Sequence, residues 1–374
     1  MTCVLKWCEG KGDLLLCGTK LRNKFVESIP EIRHLCILLT ECKCKPYSDM
    51  KVYITRNIPE AGLKLLKDAG LDITVWTESY HQPEEELIKV LQQYDAVLVS
   101  GPVKVDRRFL ESCRHLKIVS LMSVGYDNVD TEAAKDLGIA VGNTPGVLSG
   151  ATADTAFLLM LAASRKAFHM HKEIIRGNWN FWDPTANLGL ELGGRTLGIV
   201  GLGKIGFELA KRCVGAYDMK IIYHNRGRNK EAEKAFGAVR VSFDELLQQS
   251  DVVSVHTALT PETKGLFDKA AFSKMKPSSI FINTARGGVH NEEDLIAALE
   301  NGTIWGAGLD VTNPEPMAAD NPLLNMTNVA ILPHIGSATV DTRSKMAGIA
   351  ARNVILALQR RPLEHAVVEN VHLT

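Results

Sequence analysis

The segment "TLGIVGLGKIGFELAKRC", residues 196–213, constrains this chain more than any other. An apolar run from Thr196 to Val200 passes through Gly201, Gly203 and Gly206 into a stretch of helical spacing. A strand that ends in this glycine pattern and opens a helix is the dinucleotide-binding fingerprint. Gly201 permits the tight turn, Gly203 lets backbone approach a pyrophosphate, and Gly206 lets helix and strand pack closely. Amides at the helix start, around Lys204, Ile205 and Gly206, would face the phosphate charge.

The rest of the chain from Met50 follows the same rhythm. Short apolar runs ("VYIT", "ITVW", "AVLVS", "KIVSLM", "IAVGN") alternate with helical stretches such as "EAGLKLLKDAG", where Leu63, Leu65 and Leu66 form a stripe and Gly70 stops the helix. One long helix is predicted from Ala151 to about Arg176, with Gly177 just beyond it. The alternation resumes through "TLGIVG", "KIIYHN", "DVVSVHT", "SIFINTA", "WGAGLDV" and "VAILP", and a helix from about Ala338 to Arg360 closes it. This order predicts an α/β chain of two doubly wound parallel-sheet domains, with ligand in the cleft between them. The length of 374 residues suits two domains.

Composition narrows the partners. Lys+Arg equals Asp+Glu at 43 each, so no net field favours nucleic acid or an anionic membrane. No apolar run reaches the roughly 18 residues that cross a bilayer; the longest, "AFLLMLAA", reads as a buried helix. Six of the eight cysteines precede Met50, and none has the C-x-x-C spacing of a zinc or thioredoxin-like site. "CKC" at Cys42–Cys44 reads as free thiols, and no metal is expected. Residues 1–49 carry no clear signal or transit pattern and are expected to be a poorly ordered extension of a cytoplasmic protein.

Asn225 stands nineteen positions after Gly206, where an NAD enzyme places an acid for the adenosine ribose. A carboxylate there would repel a ribose 2′-phosphate, whereas Arg226 and Arg228 could clamp it. The expected cofactor is therefore NADP(H). Three further groups fall at strand ends: Arg286 after "FINTA", Asp310 with Glu315 in "GLDVTNPEP", and His334 in "VAILPHIGSAT". Each alone has an ordinary explanation as an ion pair, a solvated carboxylate or a core histidine. Together, after a dinucleotide fingerprint, they mark an active site.

"VGLGKIG", "INTARGG", "GLDVTNPEP" and "LPHIGSAT" resemble the motifs of the D-isomer-specific 2-hydroxyacid dehydrogenases, in the pattern of their glyoxylate/hydroxypyruvate reductases and 2-ketogluconate reductase-like members. The resemblance runs from Met50 almost to the C-terminus. It implies a Rossmann cofactor domain, residues 149–339, inserted into a discontinuous flavodoxin-like substrate domain of residues 50–148 and 340–374. It also implies a homodimer, with the helix after Gly150 at the interface and Trp179 and Trp182 near it.

The implied activity is NADPH-dependent reduction of small 2-keto acids, hydroxypyruvate and glyoxylate, to D-2-hydroxy acids. Arg286 would grip the carboxylate and keto oxygen, His334 would be the general acid, and Glu315 would fix its tautomer and favour its proton. Thr284, Asp310 and Gly336 would lie on the nicotinamide side, and Val124 and Gly125 would hold the carboxylate from the other domain. Reduction of 2-ketogluconate by the same chemistry, and a nucleotide-sensing corepressor-like protein, are the alternatives.

Overall fold

β-Branched and apolar residues concentrate in the runs that become strands, and turn residues separate them. The computed structural model describes residues 5–7, 14–16, 19–21 and 49–368. Three short strands, β1 (Leu5–Trp7), β2 (Leu14–Leu16) and β3 (Thr19–Leu21), form an antiparallel sheet in that order. The rest of residues 1–48, with the six cysteines and the disorder expected of them, lies outside the described residues.

From residue 51 the chain builds two parallel sheets. The first holds β4 (Lys51–Ile54), β5 (Asp72–Val75), β6 (Ala96–Val99), β7 (Ile118–Leu121) and β8 (Ala140–Gly142), in the order β5-β4-β6-β7-β8. The second holds β9 (Thr196–Val200), β10 (Lys220–His224), β11 (Val239–Arg240), β12 (Val252–Val255), β13 (Ile280–Asn283), β14 (Gly306–Leu309) and β15 (Val329–Ile331). Its order is β11-β10-β9-β12-β13-β14-β15. Strands β6, β7, β12, β13 and β14 are buried along their whole length, because helices cover both faces. In each sheet the order reverses beside the first strand, which opens a crevice at the carboxyl ends.

The single long helix expected from Ala151 to Arg176 is instead two, Ser149–Ser164 and Ala167–Ile175. The Ser164 carbonyl, which a continuous helix would bond to residue 168, accepts from the Leu190 amide at 2.9 Å. Lys166 turns left-handed (φ 54°) and sets its ammonium 5.2 Å from the centre of the Trp305 ring. The first of the two spreads its apolar residues around its axis, with Asp154 exposed and paired to Arg212, and it packs against β13 and β14 and the helix Lys204–Tyr217. After β15 the chain returns to the first sheet. Its final helix, Val340–Leu358, packs on the helix Glu60–Asp68 and on β7. There Ser120 Oγ donates to the Ala350 carbonyl at 2.9 Å and Asn353 Nδ2 to the Asn143 carbonyl at 3.2 Å. Cys113 and Cys213 are buried, and burial pushes their thiols up to about 11 and about 12. No helix among the described residues is long and apolar enough to cross a membrane.

Candidate active site

The glycine loop joins β9 to the helix Lys204–Tyr217. Gly201 sits at φ 93°, and a side chain begun there would strike the His256 carbonyl carbon at 2.7 Å. Only glycine fits both demands. A side chain begun at Gly206 would come within 3.0 Å of Ile199 Cγ2, so this helix start packs hard on its own strand. One begun at Gly203 would meet nothing within 4 Å, which leaves the loop face approachable. A free loop face at the start of a 14-residue helix is what a pyrophosphate needs, so these residues fit a dinucleotide. Lys204 and Ile205 occupy the first helical positions.

The turn after β10 is more committed than its sequence suggests. Asn225 Oδ1 accepts from the Leu202 amide at 2.7 Å and its Nδ2 donates to the Leu202 carbonyl at 3.1 Å, so it braces the glycine loop. Arg228 is tied to Glu233 (3.0 and 2.7 Å). Arg228 and the Tyr223 hydroxyl in turn hold the Glu233 carboxyl down at about 2. Arg240, which sequence reading passed over, donates to the carbonyls of Asn225 (3.1 and 2.9 Å) and Arg226 (3.0 Å). Arg226 and Arg228 are both exposed; Arg228 is tied to Glu233, while the charge of Arg226 helps hold the Glu262 carboxyl down.

The ends of β13, β14 and β15 are neighbours, so their loops meet. Asp310, directly after β14, is 1% exposed, and its two oxygens accept from the amides of Ile335 (2.8 Å) and Gly336 (2.7 Å). Burial pushes this carboxyl above its ordinary value, against the pull of those amides. The His334 amide also donates to the Asp310 carbonyl at 2.9 Å. This clamp holds His334 left-handed at φ 53°, a conformation that costs of order 1–3 kcal/mol and tends to persist at functional sites. Asp310 therefore shapes the histidine loop.

His334 Nδ1 lies 2.5 Å from Glu315 Oε1. Burial pushes the Glu315 carboxyl up, but the hydrogen bond and charge of His334 outweigh it and hold it below 4.5. A lowered carboxyl contributes stability that is complete above its unfolded value and fades as pH falls through the folded one. Glu315 is thus ionised at neutral pH. Its turn is flanked by cis peptides at Asn313–Pro314 and Glu315–Pro316. The "ARGG" loop presses on that turn, since a side chain begun at Gly287 would fall 1.9 Å from the Thr312 carbonyl oxygen.

Arg286 crosses to the loop after β7. Its Nε donates to Asp127 Oδ1 at 3.0 Å, and a side chain begun at Gly125 would fall 1.7 Å from its Nη2. The Val124 carbonyl accepts from Asn143 Nδ2 (2.8 Å) and the Gly125 carbonyl from Ser123 Oγ (2.7 Å). Val124, Gly125 and Arg286 thus gather where the two sheets' loops meet, and the charge of Arg286 reaches the Glu315 carboxyl that pairs with His334. Sequence reading missed Asp127 and His256. The latter follows β12, with Nε2 2.9 Å from Ser254 Oγ and Nδ1 3.5 Å from Thr284 Oγ1. Part of its surface is open, yet its dense surroundings push the ring down to about 4, so it is neutral at pH 7. Its position at a strand end in "SVHT" was the available signal.

The description "D-isomer specific 2-hydroxyacid dehydrogenase, NAD binding domain" matches residues 157–336. A glyoxylate reductase of Thermococcus litoralis is 44% identical over 309 residues, 82% of this chain and 92% of that protein. This chain belongs to the D-isomer-specific 2-hydroxyacid dehydrogenases. A structure from Thermus thermophilus superposes on this dehydrogenase with a TM-score of 0.80 at 39% identity, covering 85% of this chain and all of that one. An NADPH-dependent glyoxylate/hydroxypyruvate reductase of Sinorhizobium meliloti, in complex with NADP and malonate, does so with a TM-score of 0.73 at 29% identity, covering 85% and 96%. The span matched to the NAD-binding domain of the dehydrogenases runs from the helix Ser149–Ser164 to Gly336 and contains the whole glycine loop.

Proposed function

We propose that this dehydrogenase reduces small 2-keto acids, glyoxylate and hydroxypyruvate, to D-2-hydroxy acids with NADPH. One observation carries the reading: the His334–Glu315 pair and Arg286, whose charge helps hold the Glu315 carboxyl down, follow strands of the same sheet whose first strand runs into a glycine loop fitted to a dinucleotide. The names of the Thermococcus and Sinorhizobium relatives agree with it. Residues 50–148 with 340–374 would form the substrate domain and residues 149–339 the cofactor domain.

The substrate carboxylate sits between Arg286 and the backbone of Val124 and Gly125, whose carbonyls are tied back. Arg286 is suited to this, because a planar fork can hold two oxygens and never loses its charge. When bound, a reduced nicotinamide supplies the hydride. Glu315 accepts a hydrogen bond from Nδ1–H of protonated His334, which leaves Nε2–H to give its proton to the keto oxygen as charge develops there; a neutral imidazole remains, with its Nδ1–H still on Glu315. Arg286 and the ionised Glu315 keep that proton transfer aimed. Thr284 and Gly336 border the nicotinamide side, where Asp310 holds the loop.

The NADPH preference rests on Arg226, with Arg228 held by Glu233 and the turn's carbonyls held by Arg240. A charge-assisted hydrogen bond is worth about 1.5–3 kcal/mol. Arg226→Ala should therefore move catalytic efficiency toward NADH, relative to NADPH, by about 10- to 100-fold, read from initial rates with each cofactor. Asn225 is left in place, since removing it would loosen the glycine loop. An unmoved ratio would mean that this turn does not read the phosphate.

Parallel assays of NADPH oxidation with glyoxylate, hydroxypyruvate and 2-ketogluconate test the activity itself. Turnover confined to 2-ketogluconate would favour that reductase, and turnover of none would favour a nucleotide sensor.

The chain is proposed to be a homodimer. Ile175, Trp179, Phe181 and Trp182 are 72–82% exposed along one short segment, an apolar surface that calls for a cover. Trp182→Asp is expected to shift the mass measured by light scattering from dimer to monomer.

A further inference from the structure

Arg286, the proposed grip on the substrate, already holds an anion belonging to the protein. Its Nε donates to Asp127 Oδ1 at 3.0 Å, its Nη1 donates to the Ala285 carbonyl at 2.8 Å, and its Nη2 lies against Gly125. Both charged side chains are 29% exposed, so the pair is neither fully screened by water nor sealed from the crevice. Asp127 belongs to the loop after β7 and Arg286 to the loop after β13. Among the ion pairs of the described residues, this one joins those two sheets.

A guanidinium offers a carboxylate two parallel donors along each edge of its fork. Asp127 holds the Nε end of one such edge, and the Ala285 carbonyl takes a donor on Nη1. A substrate carboxylate approaching from the Gly125 side finds Nη2 and must share, or displace, the resident aspartate. The product carries the same carboxylate as the substrate. Any grip that holds both equally gives nothing to the chemical step and slows departure.

We infer that Asp127 is a built-in competitor for Arg286: a positioning residue that aims the fork and also weakens its hold on substrate and product anions. This rests on the 2-keto acid reductase reading.

Oxamate is the probe. It is a planar monoanion with a carboxylate beside a carbonyl, and its binding to the NADPH-saturated full chain can be measured by calorimetry without turnover. Asp127→Asn keeps the size of the side chain and an oxygen for Nε but removes the charge. It is expected to bind oxamate about tenfold more tightly, with a matching fall in KM for glyoxylate and no rise in kcat. Asp127→Ala, which also frees the fork, should tighten oxamate and lower kcat below that of the asparagine variant. Asp127→Glu should restore weak oxamate binding.

Unchanged or weakened oxamate binding in a folded Asp127→Asn protein overturns the inference. So does failure of the glutamate variant to differ from the asparagine one. A wild-type protein that reduces no 2-keto acid would instead remove the underlying reading. An active wild type whose asparagine variant binds oxamate no better removes only the competitor.

Discussion

Replacing His334 with alanine is expected to lower kcat for glyoxylate reduction by about 10²- to 10⁴-fold, the usual worth of a positioned general acid. Cofactor affinity should hold, because the glycine loop and the turn after β10 lie on other strands. Fluorescence titration with NADPH and steady-state rates on the same preparation separate the two effects. Glu315 should matter less, since its replacement leaves a proton on His334 but lets the ring turn. A near-wild-type rate in the alanine variant would remove His334 from the chemistry, whatever its contact with Glu315.

The second large effect comes from a single methyl group. Gly125→Ala would put its Cβ 1.7 Å from Arg286 Nη2 and 3.0 Å from Asp127 Oδ1. The struck atoms are the ends of side chains, so the fold can absorb the change by moving them. Arg286 would then lose its place beside the Val124–Gly125 backbone. With one or two charge-assisted hydrogen bonds lost, about 1.5–3 kcal/mol each, catalytic efficiency should fall roughly a hundredfold or more while the melting temperature changes little. A large drop in melting temperature would place the role of Gly125 in the fold, and unchanged kinetics would mean that Arg286 does not seat the substrate.

Local pattern carried most of the architecture. The strands and the glycine loop were legible because apolar periodicity and glycine spacing act over a few residues. Arg286, Glu315 and His334 were legible because strand ends in a parallel sheet converge. What escaped depended on partners distant in sequence. The break after Ser164 is set by Leu190, and nothing within "AFLLMLAASRKAFHM" announces it. Asn225 fills the position of an acid, but whether it faces a ribose or braces Leu202 is decided by a contact 23 positions away. Asp127 has the look of an ordinary turn residue because its partner lies 159 positions downstream. Arg226 and Arg228 look equal in the sequence, yet Glu233, in the helix that follows, claims the second of them.

The return of the last helix to the first sheet has a mechanical result. The polypeptide leaves that sheet after β8 and comes back before Val340, so two covalent tethers, not one, connect the halves. A body tied at two points can pivot about the line through them but cannot tumble. Two crossings between the sheets limit how far one can be displaced from the other, and so how far Asp127 can part from Arg286.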